Sequence, residues 1–184
     1  MVFQCTDAPR NAAVDAMETS LGLNPILTVR TGVPPVSGAA AATGTVLATI
    51  TLPADWMAPA SGGQKLGNMA GWADNSADAT GRAGHYRITG SSQVFQGLCS
   101  DPHQFSKVVA VGDQVHNVGN TYRATVGGTT GAASAPVHTS GTAADGTVTW
   151  QFVQNFTDMT IDNASLNLGQ QFTVTAYQLN ITGA

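Results

Sequence analysis

The sequence predicts an all-β protein: a β-sandwich or small barrel with one short N-terminal helix and an inserted small β module. Three observations carry that expectation. Apolar residues alternate with Thr, Ser and Gln through much of the chain, the period-two pattern of half-buried strands. Gly, Asn and Asp interrupt the alternation at short intervals, as turns between short strands require. Helical spacing stands out in a single segment near the start. At 184 residues the chain is long enough for one good core, or for one domain carrying a smaller insertion.

The helix is expected to start at Asp7 as its cap, with Pro9 in the first turn, where a missing N–H costs nothing. Ala13, Val14, Met17 and Leu21 fall on one face, and Gly22 and Pro25 end the run. From Ile26 the period becomes two. Segment 26–30 reads as a strand closed by Gly32 and Pro34-Pro35. A Gly/Ala-rich loop over 37–44 leads to segment 45–52, where Val46, Ala48, Ile50 and Leu52 share a face and Thr45, Thr49 and Thr51 line the other. Residues 58–71 read as a mobile loop around Ser61-Gly62-Gly63. Segments 82–88 and 93–98 form a hairpin about Gly90-Ser91-Ser92. At the C-terminus, strands over 159–161 and 166–168 flank the turn at Asp162-Asn163. In the final strand Phe172, Val174 and Ala176 lie on one face with Tyr177 and Leu179 opposite, so both faces look partly apolar.

Residues 101–155 differ in texture. Short strands around Val108, Val115, Tyr122 and Trp150 are joined by turns at Gly119-Asn120 and Asp145-Gly146 and by a long Gly/Thr/Ser/Ala loop. This reads as a compact β unit grown out of a surface loop. The predicted division is therefore a sandwich frame over 1–100 and 156–184, interrupted by an insert over 101–155.

Composition narrows function. Charged residues make up 10% of the chain, against a typical figure of about 25%. The net charge of −4 supplies no basic face for phosphates, so no nucleic-acid partner is expected. Few surface charges also mean little self-repulsion, which favours assembly with other subunits. No stretch approaches the roughly 20 apolar residues of a membrane span. Met1 to Asp7 has neither the basic nor the apolar region of a secretory signal, so synthesis in the cytoplasm is expected.

Chemistry-bearing motifs are scarce. Cys5 and Cys99 are far apart and read as small buried hydrophobes rather than a disulfide framework or zinc site. His85, His103, His116 and His138 show no metal-ligand spacing and read as scattered surface or turn residues. Asp55, Asp74, Asp78, Asp101, Asp113, Asp145, Asp158 and Asp162 mostly flank small or turn residues, the ordinary setting of a turn-forming Asp. Asp74-Asn75-Ser76-Ala77-Asp78 is rich in oxygen but lacks the Gly and terminal Glu of an EF-hand. Asn155, Asn163 and Asn180 begin Asn-x-Ser/Thr triplets and read as turn residues. No GxSxG or phosphate loop occurs. Neither catalytic residues nor a cofactor nor a metal is expected, and the chain does not read as an enzyme. The candidate interface or ligand-binding residues are the aromatics Trp56, Trp72, Tyr122 and Trp150. Trp56 and Trp72 flank the 61–63 loop as candidate intersubunit anchors, and Trp150 reads as a core anchor in preference to a binding face.

The frame resembles a family of small tailed-bacteriophage and prophage virion proteins. The residues that carry the resemblance are Pro9-Arg10-Asn11-Ala12-Ala13-Val14-Asp15-Ala16, Val29-Arg30-Thr31-Gly32-Val33-Pro34-Pro35, the run over 42–52 and the run over 161–175, which follow one another in the expected order along the frame. The insert is similar to a small β module of phage tail-fibre proteins through Gly112-Asp113-Gln114-Val115, Gly119-Asn120-Thr121-Tyr122-Arg123-Ala124 and Asp145-Gly146-Thr147-Val148-Thr149-Trp150. It also has a passing similarity to carbohydrate-binding modules, without a second Trp beside Trp150 to complete a sugar platform. The resemblance implies a virion structural protein, foremost a capsid decoration (cement) protein on the outer head surface. Its partners would be the major capsid protein and copies of itself, with a trimer suited to local three-fold axes. The alternative is a tail, neck or fibre-associated protein whose insert binds a host surface glycan.

Overall fold

The computed structural model describes residues 5–154 and 159–180. The opening tetrapeptide, Asn155 and Asp158 lie outside the described residues. A single helix, α1 (Asp7–Leu21), precedes fifteen strand segments among those residues. The frame holds β1 (Ile26–Thr31), β2 (Val46–Thr51), β3 (Gln64–Leu66), β4 (Ala73–Asp74), β5 (Gly81–Thr89) and β6 (Val94–Pro102). Next come β7 (Val108–Val109), β8 (Gln114–Asn117), β9 (Asn120–Val126), β10 (Gly128–Thr129), β11 (Thr142–Asp145) and β12 (Val148–Gln154). The frame resumes with β13 (Met159–Ile161), β14 (Ser165–Leu166) and β15 (Phe172–Asn180). The protein is thus mostly β and sandwich-like with one N-terminal helix. The main path of paired strands runs open from β11 to β3 and does not close, so the barrel form of the expectation is not found.

Strand β6 is the seam of the molecule. Its first half pairs antiparallel with β5 (Val94 to Leu98), its next residues Cys99 and Ser100 run parallel to β13, and Asp101 and Pro102 run parallel to β8. One strand therefore connects the frame sheet to the β8–β9–β12–β11 sheet. Two apolar clusters match this division of labour. The larger gathers Leu27, Val29, Leu47, Ile50, Trp56, Trp72, Ile88, Phe172 and Tyr177 with others of the frame. The smaller consists of Val109, Val115, Tyr122, Ala124, Val148 and Trp150, all within 101–155.

Several local expectations are corrected. Thr6, not Asp7, is the N-cap of α1, and its side chain makes no capping bond; Asp7 instead pairs with Arg10 one turn on. Residues 58–71 are not an untethered loop: β3 adds there to β15, and Lys65 is buried. The final strand does not present two apolar faces. Ile161 pairs with Val174 but Thr160 with Ala176, so Thr175 is an extra residue on β15. This bulge shifts the phase, and Phe172, Val174, Tyr177 and Leu179 are all buried. Loop 37–44 is pinned by arginines: Arg87 Nη1 and Nη2 donate to the carbonyls of Ala40 (3.1 Å) and Gly38 (2.9 Å), and Arg30 Nη1 donates to Gly44 (3.1 Å). No helix among the described residues is long and apolar enough to cross a membrane.

Candidate functional site

The four aromatics singled out from the sequence are structural. Trp56, Trp72, Tyr122 and Trp150 are each 0% exposed, so none offers a surface to a partner. Trp56 and Trp72 are frame core rather than intersubunit anchors. Their ring centroids lie 6.3 Å apart, and Tyr177 sits 5.2 Å from Trp72 and 5.6 Å, edge-on, from Tyr86. Such tilted and edge-to-face contacts add about 0.5–1.5 kcal/mol per pair to the burial itself. Tyr122 donates its hydroxyl to the carbonyl of His138 (3.0 Å) and accepts from Asn120 Nδ2 (3.1 Å), which ties the long insert loop to β9. Trp150 is a core anchor, as the sequence favoured.

What holds Trp150 is a buried polar knot. Trp150 Nε1–H donates to Asp145 Oδ2 (3.0 Å), His103 Nε2 meets the same oxygen (2.7 Å), and the Gly131 backbone N–H donates to Oδ1 (2.7 Å). Burial alone pushes the Asp145 carboxyl upward, but the bonds from Trp150, His103 and Gly131 outweigh it and hold the group below its ordinary value. Asp145 and His103 are therefore not the turn and surface residues their sequence neighbours suggested.

The remaining histidines are separate from this knot. His85 is fully buried with Nδ1 3.1 Å from the Gly32 carbonyl, and desolvation, helped by Arg30 and Arg87 nearby, lowers its pKa. His116 Nδ1 lies 3.3 Å from Ser100 Oγ, and burial lowers its pKa as well. No group of three or more metal-ligating side chains forms among the described residues. The oxygen-rich 74–78 segment is a brace: Asp74 Oδ2 accepts from the Thr49 N–H (3.0 Å) and Asp78 Oδ2 from Thr49 Oγ1 (2.7 Å). Of the cysteines, Cys99 is buried as expected, whereas Cys5 is exposed; neither forms a disulfide.

Concave surface occurs where frame loop 32–35 faces the outer side of the insert sheet. Two adjoining cavities, of about 260 and about 440 Å³, share Val33, Gln114 and Arg123 in their walls. The first is also lined by Arg82 and Asp113, the second by Pro34, Leu98, Gln151, Phe152 and Val153. Register explains the floor. Arg123 on β9 is directly opposite Gln114 on β8 and Gln151 on β12, so the three side chains form one row across three strands. Their neighbours Val115, Tyr122, Ala124 and Trp150 point the other way, into the insert core.

The electrostatics of this groove are uneven. Arg82 is committed: its Nε lies 2.5 Å from Asp113 Oδ1 and its Nη2 3.5 Å from Asp101 Oδ2, with Lys107 Nζ also 3.7 Å from Asp101. Burial raises the Asp101 pKa against the pull of Arg82 and Lys107. Arg123 is exposed and has no hydrogen-bond or ion-pair partner among the described residues. Gln114 is 6% exposed and its Oε1 accepts no bond. The sequence reading missed this row and chose Tyr122 and Trp150, each one residue from a groove residue and on the opposite face. The signal was present in the alternation Tyr122-Arg123-Ala124 and Trp150-Gln151-Phe152.

The class that fold and site define is a mostly β, sandwich-like protein with one N-terminal helix and a cleft over the outer face of β8, β9 and β12. No family model matches the sequence, and no curated protein does either.

Proposed function

We propose that this chain is a non-enzymatic structural component of a tailed-bacteriophage particle, foremost a decoration protein on the outer head surface. The observation that carries the reading is how the chain uses its few charges. Lys65, Arg82, Arg87, Asp101 and Asp145 are spent on internal braces, while large apolar side chains such as Val36, Leu23, Val108 and Val118 stand out to solvent. A surface of that kind suits many copies of a modest interface on a lattice, where binding energy accumulates by repetition. The ordered resemblance of the frame segments to tailed-phage virion proteins supports the same assignment. On this reading the partners are the major capsid protein and further copies of the chain.

A tail, neck or fibre-associated role is the second reading, favoured by the groove beside the insert. An aromatic sugar platform built on Trp150 and Tyr122 is not its basis, because both rings are buried. Fractionation separates the particle assignment from any soluble role. The chain is expected to co-sediment with purified particles through a density gradient; recovery only as free protein, with none on particles, contradicts it.

A further inference from the structure

We propose that the Gln114–Arg123–Gln151 row is the floor of a binding groove for a carboxylate-bearing saccharide, of the uronic-acid type. Cross-strand register sets the row on a rigid sheet, with a guanidinium flanked on both sides by side-chain amides. A guanidinium recognises a planar carboxylate through paired N–H donors, and amides both donate to and accept from hydroxyls. Arg123 is the cation left available, since Asp113 and Asp101 already neutralise Arg82 across the same cavity. Gln114 is nearly buried and anchors its end of the row beside Arg123, so the exposed Gln151 amide is the one open to a ligand hydroxyl. Opposite the polar row, Val33, Pro34 and Leu98 supply an apolar wall for the C–H face of a pyranose ring.

A peptide fits less well. The floor is a sheet face whose backbone groups are already paired between β8, β9 and β12, so no strand can be added there. The two contiguous cavities favour a short oligomer over a single ring. The inference goes beyond the particle assignment and fails independently of it: a chain present on particles but without affinity for the sugar rejects the groove alone.

The test is calorimetric titration of the full chain with tetragalacturonate, beside a neutral cellotetraose and a tetraglutamate peptide. Saturable binding of tetragalacturonate is expected, weakened at least about 10-fold by Arg123→Gln and left unchanged by the charge-matched control Arg10→Gln. Thermal unfolding verifies that the variants fold. Should Arg123→Gln unfold, Gln151→Ala, at an exposed position, carries the same expectation of weakened binding. The proposal is overturned by no saturable binding up to about 10 mM sugar. Equal loss in Arg10→Gln, equal affinity for cellotetraose, or tighter binding of tetraglutamate overturns it as well.

Discussion

His85 and His116 give the molecule a pH dependence with a definite sign. Both are harder to protonate in the folded chain than at the ordinary histidine value of 6.5, chiefly because burial disfavours the cation. Below that value the unfolded chain takes up protons that the folded one refuses, so stability is intact above about pH 6.5 and falls as acid is added. Asp101, whose pKa is raised, works in the opposite direction as pH falls toward the ordinary carboxylate value of 3.8, and Asp145, whose pKa is depressed, adds to the loss below that value. The urea midpoint is expected to drop between about pH 7.5 and about pH 5.5, with a shallower drop in His85→Gln. A midpoint flat across that interval contradicts the assignment. Asp145→Ala removes the acceptor of three buried donors, and a loss of about 2–4 kcal/mol is expected, read by urea unfolding with Trp150 among the fluorophores. Val118 runs the other way. It sits at φ 48° in the β8–β9 turn beside Gly119 at φ 76°, a left-handed position that a β-branched residue occupies under strain. Val118→Asn is expected to stabilise the chain by about 0.5–1 kcal/mol, seen as a raised melting temperature. At this scale the sequence was least legible. Asp145 precedes Gly146 and looks like any turn aspartate, and only the return of Trp150, His103 and Gly131 to the same point in space reveals its job.

Elements were more legible, because periodicity is local. The helix, the β5–β6 hairpin and the turns at Gly119 and Gly146 follow from spacing and turn chemistry alone. Phase errors arose where one residue is inserted, as at Thr175, since a bulge changes every later face assignment without any mark in composition. The 58–71 segment was misread for a related reason. Its order comes from contacts distant in sequence: Lys65 Nζ reaches Asp15 (2.7 Å) and Glu18 on α1, and the Gly63 N–H donates to Asn11 Oδ1 (2.8 Å). Desolvation draws the Lys65 pKa down, but the two carboxylates more than restore it, so its charge is retained in the fold. Lys65→Met leaves those carboxylates facing an apolar side chain. An expected loss of about 1–3 kcal/mol should be accompanied by faster amide exchange along α1 than in β5. Uniform exchange in both elements would show that Lys65 does not dock the helix.

The whole molecule is two apolar cores joined through β6, with a polar cleft at the junction. The smaller core draws all its residues from the segment 101–155, whose texture differs in the sequence. The cleft was not legible there, because it depends on which face of β9 turns toward loop 32–35, a tertiary fact. On the proposed reading, the sparsely charged exterior with its protruding valines serves repeated weak contacts on a particle lattice. Decoration of a lattice is a matter of stoichiometry, tested by counting copies of this chain per purified particle with quantitative mass spectrometry. A decoration protein is expected at a simple ratio to the major capsid protein, such as one to one. Complete absence from the particle would contradict the account, and a handful of copies would contradict the head-surface assignment in favour of the tail.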